Sequence, residues 1–248
     1  KKAEGRIAVN QARKEIHCEE CWREGYTGRG IGVAVLDTGI FPHEDFGGRI
    51  AAFADFVQKD PDPDADKGHG TPIAGIIGGA GTASRGGYSG VAPECSLICA
   101  KVLDKRGNGY ASDVLSGLRW IRGNRERYGI RIVNVSVGAF SGRGSGENSA
   151  LVKGVNAAWD DGLVDVVAAG NNGPGRMTIT TPGISRKVIT VGCSDDHREV
   201  NVMGSRMVDY SGRGPTAACV CKPDLVAPGC SIISCANRDG GYQTKSGT

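Results

Sequence analysis

The sequence lacks long hydrophobic runs and long runs of like charge. No apolar stretch approaches the roughly 18–20 residues that a membrane-spanning helix needs. No five consecutive residues carry the same charge, and the formal net charge of the 248 residues is only +3. We therefore expect neither a membrane nor a nucleic acid among the partners of this protein.

A regular cysteine framework is lacking too, although the chain contains nine cysteines. An odd number at irregular spacing, in a chain large enough to fold without disulfide bonds, is typical of reduced thiols. We expect a cytoplasmic location; a secreted mature form would carry the same features and stays open. Two short groups could bind a metal or act in redox chemistry, namely His17 with Cys18 and Cys21, and Cys219 with Cys221. No four ligands have zinc spacing, so we predict no metal site and interpret the cysteines as free thiols.

Glycine, by contrast, is abundant. The 40 glycines are about twice the usual share of roughly 7%, and they cluster between the periodic segments. Such clusters indicate tight turns and close backbone approach rather than a flexible linker. With 39% hydrophobic and 23% charged residues, the composition is that of a globular protein, and the length fits one large domain.

Short apolar segments alternate with amphipathic ones along the chain. The apolar segments predict buried strands over residues 31–36, 96–102, 130–137, 163–169, 187–193 and within 224–229. Helical spacing predicts one helix near residues 11–24, a second capped by Ser112, and a third that is capped by Ser149 and ends at Gly162. The alternation predicts an α/β fold with a mostly parallel central sheet and helices on both faces.

Candidate functional residues fall at the carboxyl ends of the predicted strands, where open sheets of this kind bind ligands. Asp37, Gly138 and Asn171 each follow such a strand. His69 lies between two glycines, directly before a predicted helix with Thr71 as N-cap and Pro72 at the first helical position. This setting presents an imidazole with no side chain on either neighbour to block a partner.

Each of these residues has a chemical and a structural interpretation. Asp37 could accept the ring N–H of a histidine and favour its charged form, or it could start a turn near Gly39. Asn171 could donate to an oxyanion, or it could occupy a left-handed position in a turn. Taken singly, the residues leave these alternatives open.

Taken together, the motifs resemble those of the subtilisin-like serine proteases, with most similarity to the bacterial intracellular type. Residues 33–39 are similar to the aspartate motif of that family, residues 68–75 to its histidine motif, and residues 168–173 to its oxyanion-asparagine segment. The order of the motifs matches, as do the linking segments 90–93, 101–103, 134–138 and 222–229.

The resemblance implies a three-layer subtilisin-like fold and a serine endopeptidase that requires no cofactor. Asp37 would orient His69, His69 would act as general base and then general acid, and Asn171 would donate to the oxyanion. An extended peptide or protein substrate would bind along backbone and pocket residues, namely Gly107, Asn108, Gly109, Ser136, Val137, Gly138, Ala168, Ala169 and Gly170. Thr180 stands where the family often has glycine and would make the pocket for the residue before the cut shallower.

The structural calcium of secreted relatives is compatible with the chain but not predicted. Asp45 is similar to one of its ligands, yet residues 78–87 lack the asparagine-bearing loop that completes that site. The acidic loop around Asp60, Asp62, Asp64 and Asp66 lacks the glycine that a calcium loop needs at its turn. We interpret it as a solvated loop beside the cleft that could favour basic residues in the substrate.

The resemblance also implies where the nucleophile lies. The family motif places serine directly after Gly-Thr, and Gly247-Thr248 is similar to that dipeptide. We expect the catalytic serine directly after Thr248, in a C-terminal remainder of the same protein; Ser246 comes too early in the motif. Residues 1–24 are then an N-terminal extension or propeptide remnant, and residues 25–248 the peptidase domain without its C-terminal segment.

Two other classes of protein stay open. A non-catalytic peptide-binding relative would keep the cleft without the nucleophile, as would an inactive fragment. A nucleotide-binding α/β protein would use the glycine-rich turns, but the chain has no G-x-x-x-x-G-K-[ST] motif, and Gly79-Ala80-Gly81 follows a predicted helix rather than a strand. We therefore favour the serine endopeptidase.

Overall fold

A computed structural model of the chain describes residues 9–60, 62, 68–139 and 146–248. The five α-helices in these ranges are α1 Val9–Glu15, α2 Cys18–Arg23, α3 Gly70–Gly78, α4 Ala111–Asn124 and α5 Ala150–Asp160. The strands are β1 Gly32–Asp37, β2 Ile50–Asp55, β3 Ser96–Lys101, β4 Ile130–Val135, β5 Val164–Ala168, β6 Ile189–Cys193, β7 Val200–Val202, β8 Ser205–Met207, β9 Leu225–Ala227, β10 Ile232–Cys235 and β11 Tyr242–Lys245. In the described part of the chain, no helix has the length and apolarity to cross a membrane.

Seven of the strands form one sheet in the order β2-β3-β1-β4-β5-β6-β9. Every neighbouring pair in this sheet is parallel. β1 lies near the middle, with Val35 opposite Cys99 on one side and Asn134 on the other. The predicted α/β class with a parallel central sheet is thus confirmed. The remaining strands form two antiparallel hairpins, β7 with β8 and β10 with β11.

Helices cover both faces of the sheet because the strands are apolar on both sides. Leu36 of β1 belongs to one hydrophobic cluster, together with Leu118 of α4 and Val155 of α5. Val33, on the opposite side of the same strand, belongs to a second cluster with Ala74 of α3. Adjacent strand residues point to opposite faces, so these two clusters are the two interfaces of a three-layer structure.

Local signals near the helix ends were partly misleading. Ser149 caps α5 as predicted, since its Oγ accepts the Val152 N–H at 3.2 Å. The prediction for Ser112 was wrong, because α4 begins at Ala111 after Tyr110. Thr71 does not cap α3 either. Its hydroxyl accepts the Phe41 N–H at 2.8 Å, and the helix already begins at Gly70. Tertiary contacts therefore outweighed the local capping preference.

The helix predicted near residues 11–24 is two helices. His17, between α1 and α2, has φ 57° and ψ 30°, a left-handed conformation that ends one helix before the next begins. Both helices pack on the loop after α3, where Arg13 Nη1 donates to the Ser89 carbonyl at 2.9 Å and Trp22 Nε1 to the Val91 carbonyl at 2.8 Å. The interpretation of residues 1–24 as an extension or propeptide remnant stays a prediction.

We expect the free energy of unfolding to fall as the pH rises through about 7, because of Asp165. This carboxyl lies on β5, opposite Val133, and is fully buried. Burial raises its pKa to about 7. The contribution of protonated Asp165 to the free energy of unfolding is complete below the pKa of this carboxyl in the unfolded chain, about 3.9. It is lost as the pH rises through the pKa in the folded protein. Denaturant unfolding at about pH 5 and about pH 8.5 should therefore show a loss of about 2–3 kcal/mol that Asp165→Asn, which cannot ionise, does not show.

The exposed Asp239 supplies the matched control. Asp239→Asn should keep the pH dependence of the parent protein. Equal pH dependence of unfolding in the parent and in Asp165→Asn would contradict the assignment.

Candidate active site

Asp37 ends strand β1, near the middle of the sheet, and is fully buried. Its Oδ1 accepts the Thr38 N–H at 2.7 Å. Its Oδ2 accepts a hydrogen bond from Nδ1 of His69 at 2.8 Å. A buried carboxylate is costly without such partners, so the end of β1 requires a donor at the place where the histidine lies.

The backbone around His69 is fixed by Thr38. The Thr38 hydroxyl accepts the N–H groups of His69 at 2.8 Å and of Gly70 at 3.1 Å. A Cβ on Gly70 would lie 2.1 Å from the Gly39 carbonyl oxygen, so only glycine permits this approach of the two loops. The glycine after the histidine therefore lets α3 press against the end of β1 and sets the Asp37–His69 distance.

The negative charge of Asp37 affects the pKa of the His69 imidazole. This charge, above all, raises the pKa of His69; burial and the positive charge of Lys245 oppose this, and the hydrogen bond to Asp37 adds to it. The His69 side chain is 36% exposed while Asp37 is not exposed at all. One edge of the imidazole thus faces the carboxylate and the rest opens toward a cavity. This arrangement suits a general base that must hold a proton briefly and release it.

Asn171 lies in the loop after β5, close to the end of the described chain. Its Oδ1 accepts the backbone N–H and the hydroxyl of Thr248, both at 3.1 Å. The Thr248 hydroxyl also accepts the Gly170 N–H at 3.1 Å. The acceptor half of the amide is thus tied to Thr248, which leaves Nδ2 as the half that can donate to a ligand.

A cavity of about 750 Å³ gathers most of the predicted site residues. Its lining includes Asp37, His69, Gly107, Asn108, Gly109, Ser136, Val137, Gly138, Ala168, Gly170 and Asn171. Ala169 is the exception, because it is fully buried behind the wall and its carbonyl accepts the Thr180 N–H at 3.0 Å. The volume lies within the roughly 300–1,000 Å³ of small-ligand sites. The lining residues come from segments that are far apart along the chain.

Thr180 stands between two walls of this cavity. A Cβ on Gly138 would lie 2.6 Å from its Oγ1, and a Cβ on Gly170 would lie 2.5 Å from its Cγ2. Thr180 is only 4% exposed. Its side chain therefore fills space between the segments 136–138 and 168–170 and reduces the depth of the pocket there.

Sequence reasoning missed two contributors to the site. Thr38 has no predicted role of its own within the aspartate motif, although the Asp-Thr-Gly turn is a signal for a side chain that accepts backbone N–H groups. The β7–β8 hairpin contributes Asn201, Met203 and Gly204 to the cavity lining. Its strands are three residues each, too short for periodicity to reveal them.

The predicted acidic loop is only partly described. The Asp62 N–H donates to Asp60 Oδ1 at 3.0 Å, and both residues are exposed. Asp64 and Asp66 lie outside the described residues. Neither the interpretation as a solvated loop nor the preference for basic substrates is tested by this bond.

A parallel α/β sheet with an aspartate–histidine pair and an amide donor at its carboxyl edge defines a class of enzyme-like sites that activate a nucleophile. Comparison with known families identifies the member of that class. Residues 28–248 match the model of the subtilase family, Peptidase_S8. The chain belongs to the subtilase family.

Known relatives agree with this assignment. The chain is 43% identical over 237 residues to serine protease AprX of Bacillus subtilis (strain 168), covering 93% of this chain and 54% of AprX. It is 34% identical over 210 residues to subtilisin Savinase of Lederbergia lenta, covering 85% of this chain and 68% of Savinase. The chain thus spans about half the length of AprX.

Solved structures confirm the predicted subtilisin-like fold. A cold-adapted subtilisin-like serine proteinase superposes with a TM-score of 0.70 at 33% identity, covering 90% of this chain and 71% of that one. Sphericase superposes with a TM-score of 0.70 at 31% identity, covering 89% and 73%. Both identities are high enough to relate the chains by descent as well as by fold.

We expect Asp37→Asn to lower the pKa of His69, because the variant removes the negative charge that chiefly raises it. NMR titration of the imidazole signals measures this directly. The other three histidines, His17, His43 and His197, serve as internal references in the same spectra. An unchanged His69 pKa, or an equal shift of all four signals, would contradict the pairing.

Proposed function

We propose that the full-length protein is a serine endopeptidase. The observation that carries this proposal is the 2.8 Å hydrogen bond from His69 to the buried Asp37, in a cavity that Asn171 also lines. The serine proteases among the relatives support it. Peptides or proteins are then the substrates, as membership of a protease family implies.

Each residue has a defined part in the proposed reaction. His69 Nε2 takes the proton of a serine hydroxyl while the serine oxygen forms a bond to the substrate carbonyl carbon. Asp37 holds the Nδ1–H tautomer and stabilises the imidazolium, and Asn171 Nδ2 donates to the carbonyl oxygen as it becomes an oxyanion. His69 then gives the proton to the leaving amine as the C–N bond breaks, and water repeats the sequence to release the acid.

We place the nucleophile directly after Thr248 in the full-length protein. The bonds from Thr248 to Asn171 bring this end of the described chain to the oxyanion donor. Ser246 is a poor substitute, since its hydroxyl already accepts the Ser231 N–H at 2.8 Å. The similarity of Gly247-Thr248 to the family motif supports the same position.

The substrate would bind as an extended strand between residues 107–109 and 136–138. Both segments line the cavity, and backbone pairing of this kind tolerates many side-chain sequences. Selectivity would then come from the pocket next to Thr180. Because Thr180 fills space between its walls, small side chains before the cut should be preferred.

We propose that the reaction requires no cofactor and no calcium at Asp45. Asp45 Oδ1 accepts the Ala83 N–H at 2.9 Å and Oδ2 accepts the Tyr242 hydroxyl at 2.8 Å. These partners are hydrogen-bond donors, whereas calcium needs six to eight oxygen ligands. A cytoplasmic setting is part of the proposal and is supported by nine cysteines, all in the described ranges, that form no disulfide.

The proposed activity is tested with the full-length protein, an extended fluorogenic peptide and a serine-directed phosphonate. We expect hydrolysis, and stoichiometric labelling of a serine directly after Thr248. Asn171→Ala should lower kcat about 10²–10³-fold with little change in KM, because the lost donor acts on the transition state.

Asn172→Ala is the matched control, since this neighbour also lines the cavity but is not the proposed donor. It should keep kcat within a few-fold. A full-length protein that binds peptide but neither labels nor cleaves would instead identify a non-catalytic peptide-binding relative and overturn the proposal.

Substitution of Thr180 should deepen the pocket. Thr180→Gly removes the side chain between the two walls, so kcat/KM for peptides with phenylalanine before the cut should rise roughly tenfold or more relative to alanine. Thr180→Ser keeps Oγ and removes only Cγ2, so its ratio of kcat/KM for phenylalanine over alanine should lie between those of the parent protein and Thr180→Gly. An equal change in kcat/KM for both peptides in Thr180→Gly would show that Thr180 does not set this preference.

A further inference from the structure

Four polar side chains meet in a buried cluster outside the active site. Cys193 ends β6, Asp195 follows it, Tyr210 comes after the β7–β8 hairpin, and Cys230 precedes β10. All four are at least nine-tenths buried, with exposures of 6%, 9%, 0% and 1%. The proposed peptidase reaction uses none of them. We call these residues the dithiol cluster.

The ligand atoms of the dithiol cluster converge. The two Sγ atoms are 4.0 Å apart, and a carboxylate oxygen of Asp195 lies within 4.8 Å of both. The Tyr210 hydroxyl is 3.1 Å from Cys193 Sγ and 3.3 Å from Cys230 Sγ. Three segments distant in sequence thus direct two sulfurs and two oxygens at one point.

Asp195 brings a buried carboxyl group into the cluster, and among the described residues only its Oδ1 has hydrogen-bond donors. Its Oδ1 accepts the N–H groups of Gly229 at 2.9 Å and Cys230 at 3.1 Å. No cationic side chain among the described residues lies within 4.0 Å of it, and Oδ2 is buried without a hydrogen-bond partner there. A buried carboxylate in this state favours a bound cation.

We propose that the dithiol cluster is a binding site for a thiophilic divalent cation of the zinc class, with Cys193, Cys230 and Asp195 as ligands. Two bonds of about 2.3 Å at a tetrahedral metal place the sulfurs about 3.8 Å apart, close to the observed separation. A disulfide would need about 2.05 Å. Sulfur ligands also select against hard cations such as calcium.

Binding at this site is balanced by loss of protons. The two thiol protons leave to solvent, each sulfur forms a bond to the cation as a thiolate, and the carboxyl group of Asp195 binds in its ionised form. The Tyr210 hydroxyl either donates to a thiolate or takes the fourth position. The backbone N–H groups on Asp195 Oδ1 orient the carboxylate, as outer-shell donors commonly do in metal sites.

A second cluster in the same chain shows why converging ligand atoms alone do not define a metal site. His43, Asp45 and Cys235 also place ligand atoms within 4.8 Å of one another. However, His43 Nδ1 accepts the Asp45 N–H at 3.1 Å, and Nε2 donates to the Gly241 carbonyl at 2.9 Å. Both ring nitrogens are thus engaged, and both Asp45 oxygens accept protein donors. Cys235 is therefore the matched control.

The test is calorimetric zinc titration of the metal-free, reduced chain, with Cys21, Cys219 and Cys221 replaced by serine to remove exposed thiols. We expect one zinc ion per chain and a rise in Tm on binding. Cys193→Ser and Cys230→Ser should weaken zinc affinity by at least about 100-fold, more than loss of an outer-shell partner does. Cys235→Ser should bind zinc as the parent does.

Should the cluster variants fail to fold, alkylation of the unchanged chain decides the matter. Zinc should then protect Cys193 and Cys230, identified by peptide mass, and leave Cys235 labelled as before. The proposal is overturned by the absence of stoichiometric zinc binding, by binding that survives both cluster variants, by equal protection of all buried cysteines, or by a Cys193–Cys230 disulfide in the isolated protein.

Discussion

The Asp37–His69 hydrogen bond depends on how closely two loops can approach each other. Asp37 is buried at the end of β1 and needs a donor. The Thr38 hydroxyl binds two consecutive N–H groups of the histidine loop, and Gly70 passes the Gly39 carbonyl where any Cβ would collide. The Asp37–His69 pair is therefore a consequence of backbone packing, and α3 is positioned by the same contacts.

Much of this arrangement could be predicted from the sequence because it rests on local signals. A short, nearly all apolar segment before Asp37 predicts a buried parallel strand, and parallel strands place their carboxyl ends at one edge. That reasoning predicts Asp37 and Asn171 at the same edge of the sheet. The chemical roles of Asp37, His69 and Asn171, which spacing alone leaves open, are implied by the resemblance of the motifs to those of the family.

What the sequence did not predict depends on contacts between distant segments. Thr71 has the character of an N-cap, yet Phe41 occupies its hydroxyl. Ala169 directly follows β5, between two residues that line the cavity, but it is itself fully buried behind the cavity wall. The dithiol cluster was invisible for the same reason, since its cysteines are 37 residues apart along the chain and no zinc spacing links them. Periodicity and spacing report neighbours in sequence, whereas each of these features is fixed by a partner far along the chain.

Gly229 connects the dithiol cluster to the end of the described chain. Its N–H donates to Asp195, and its carbonyl accepts the Tyr210 hydroxyl at 3.2 Å and the Gly247 N–H at 3.0 Å. Gly247 directly precedes Thr248, whose partner is Asn171. A cation in the cluster would thus stiffen the segment that carries the proposed nucleophile without touching Asp37 or His69. Its effect would be on stability and on the position of Thr248, because the charge that sets the His69 pKa lies on a different loop.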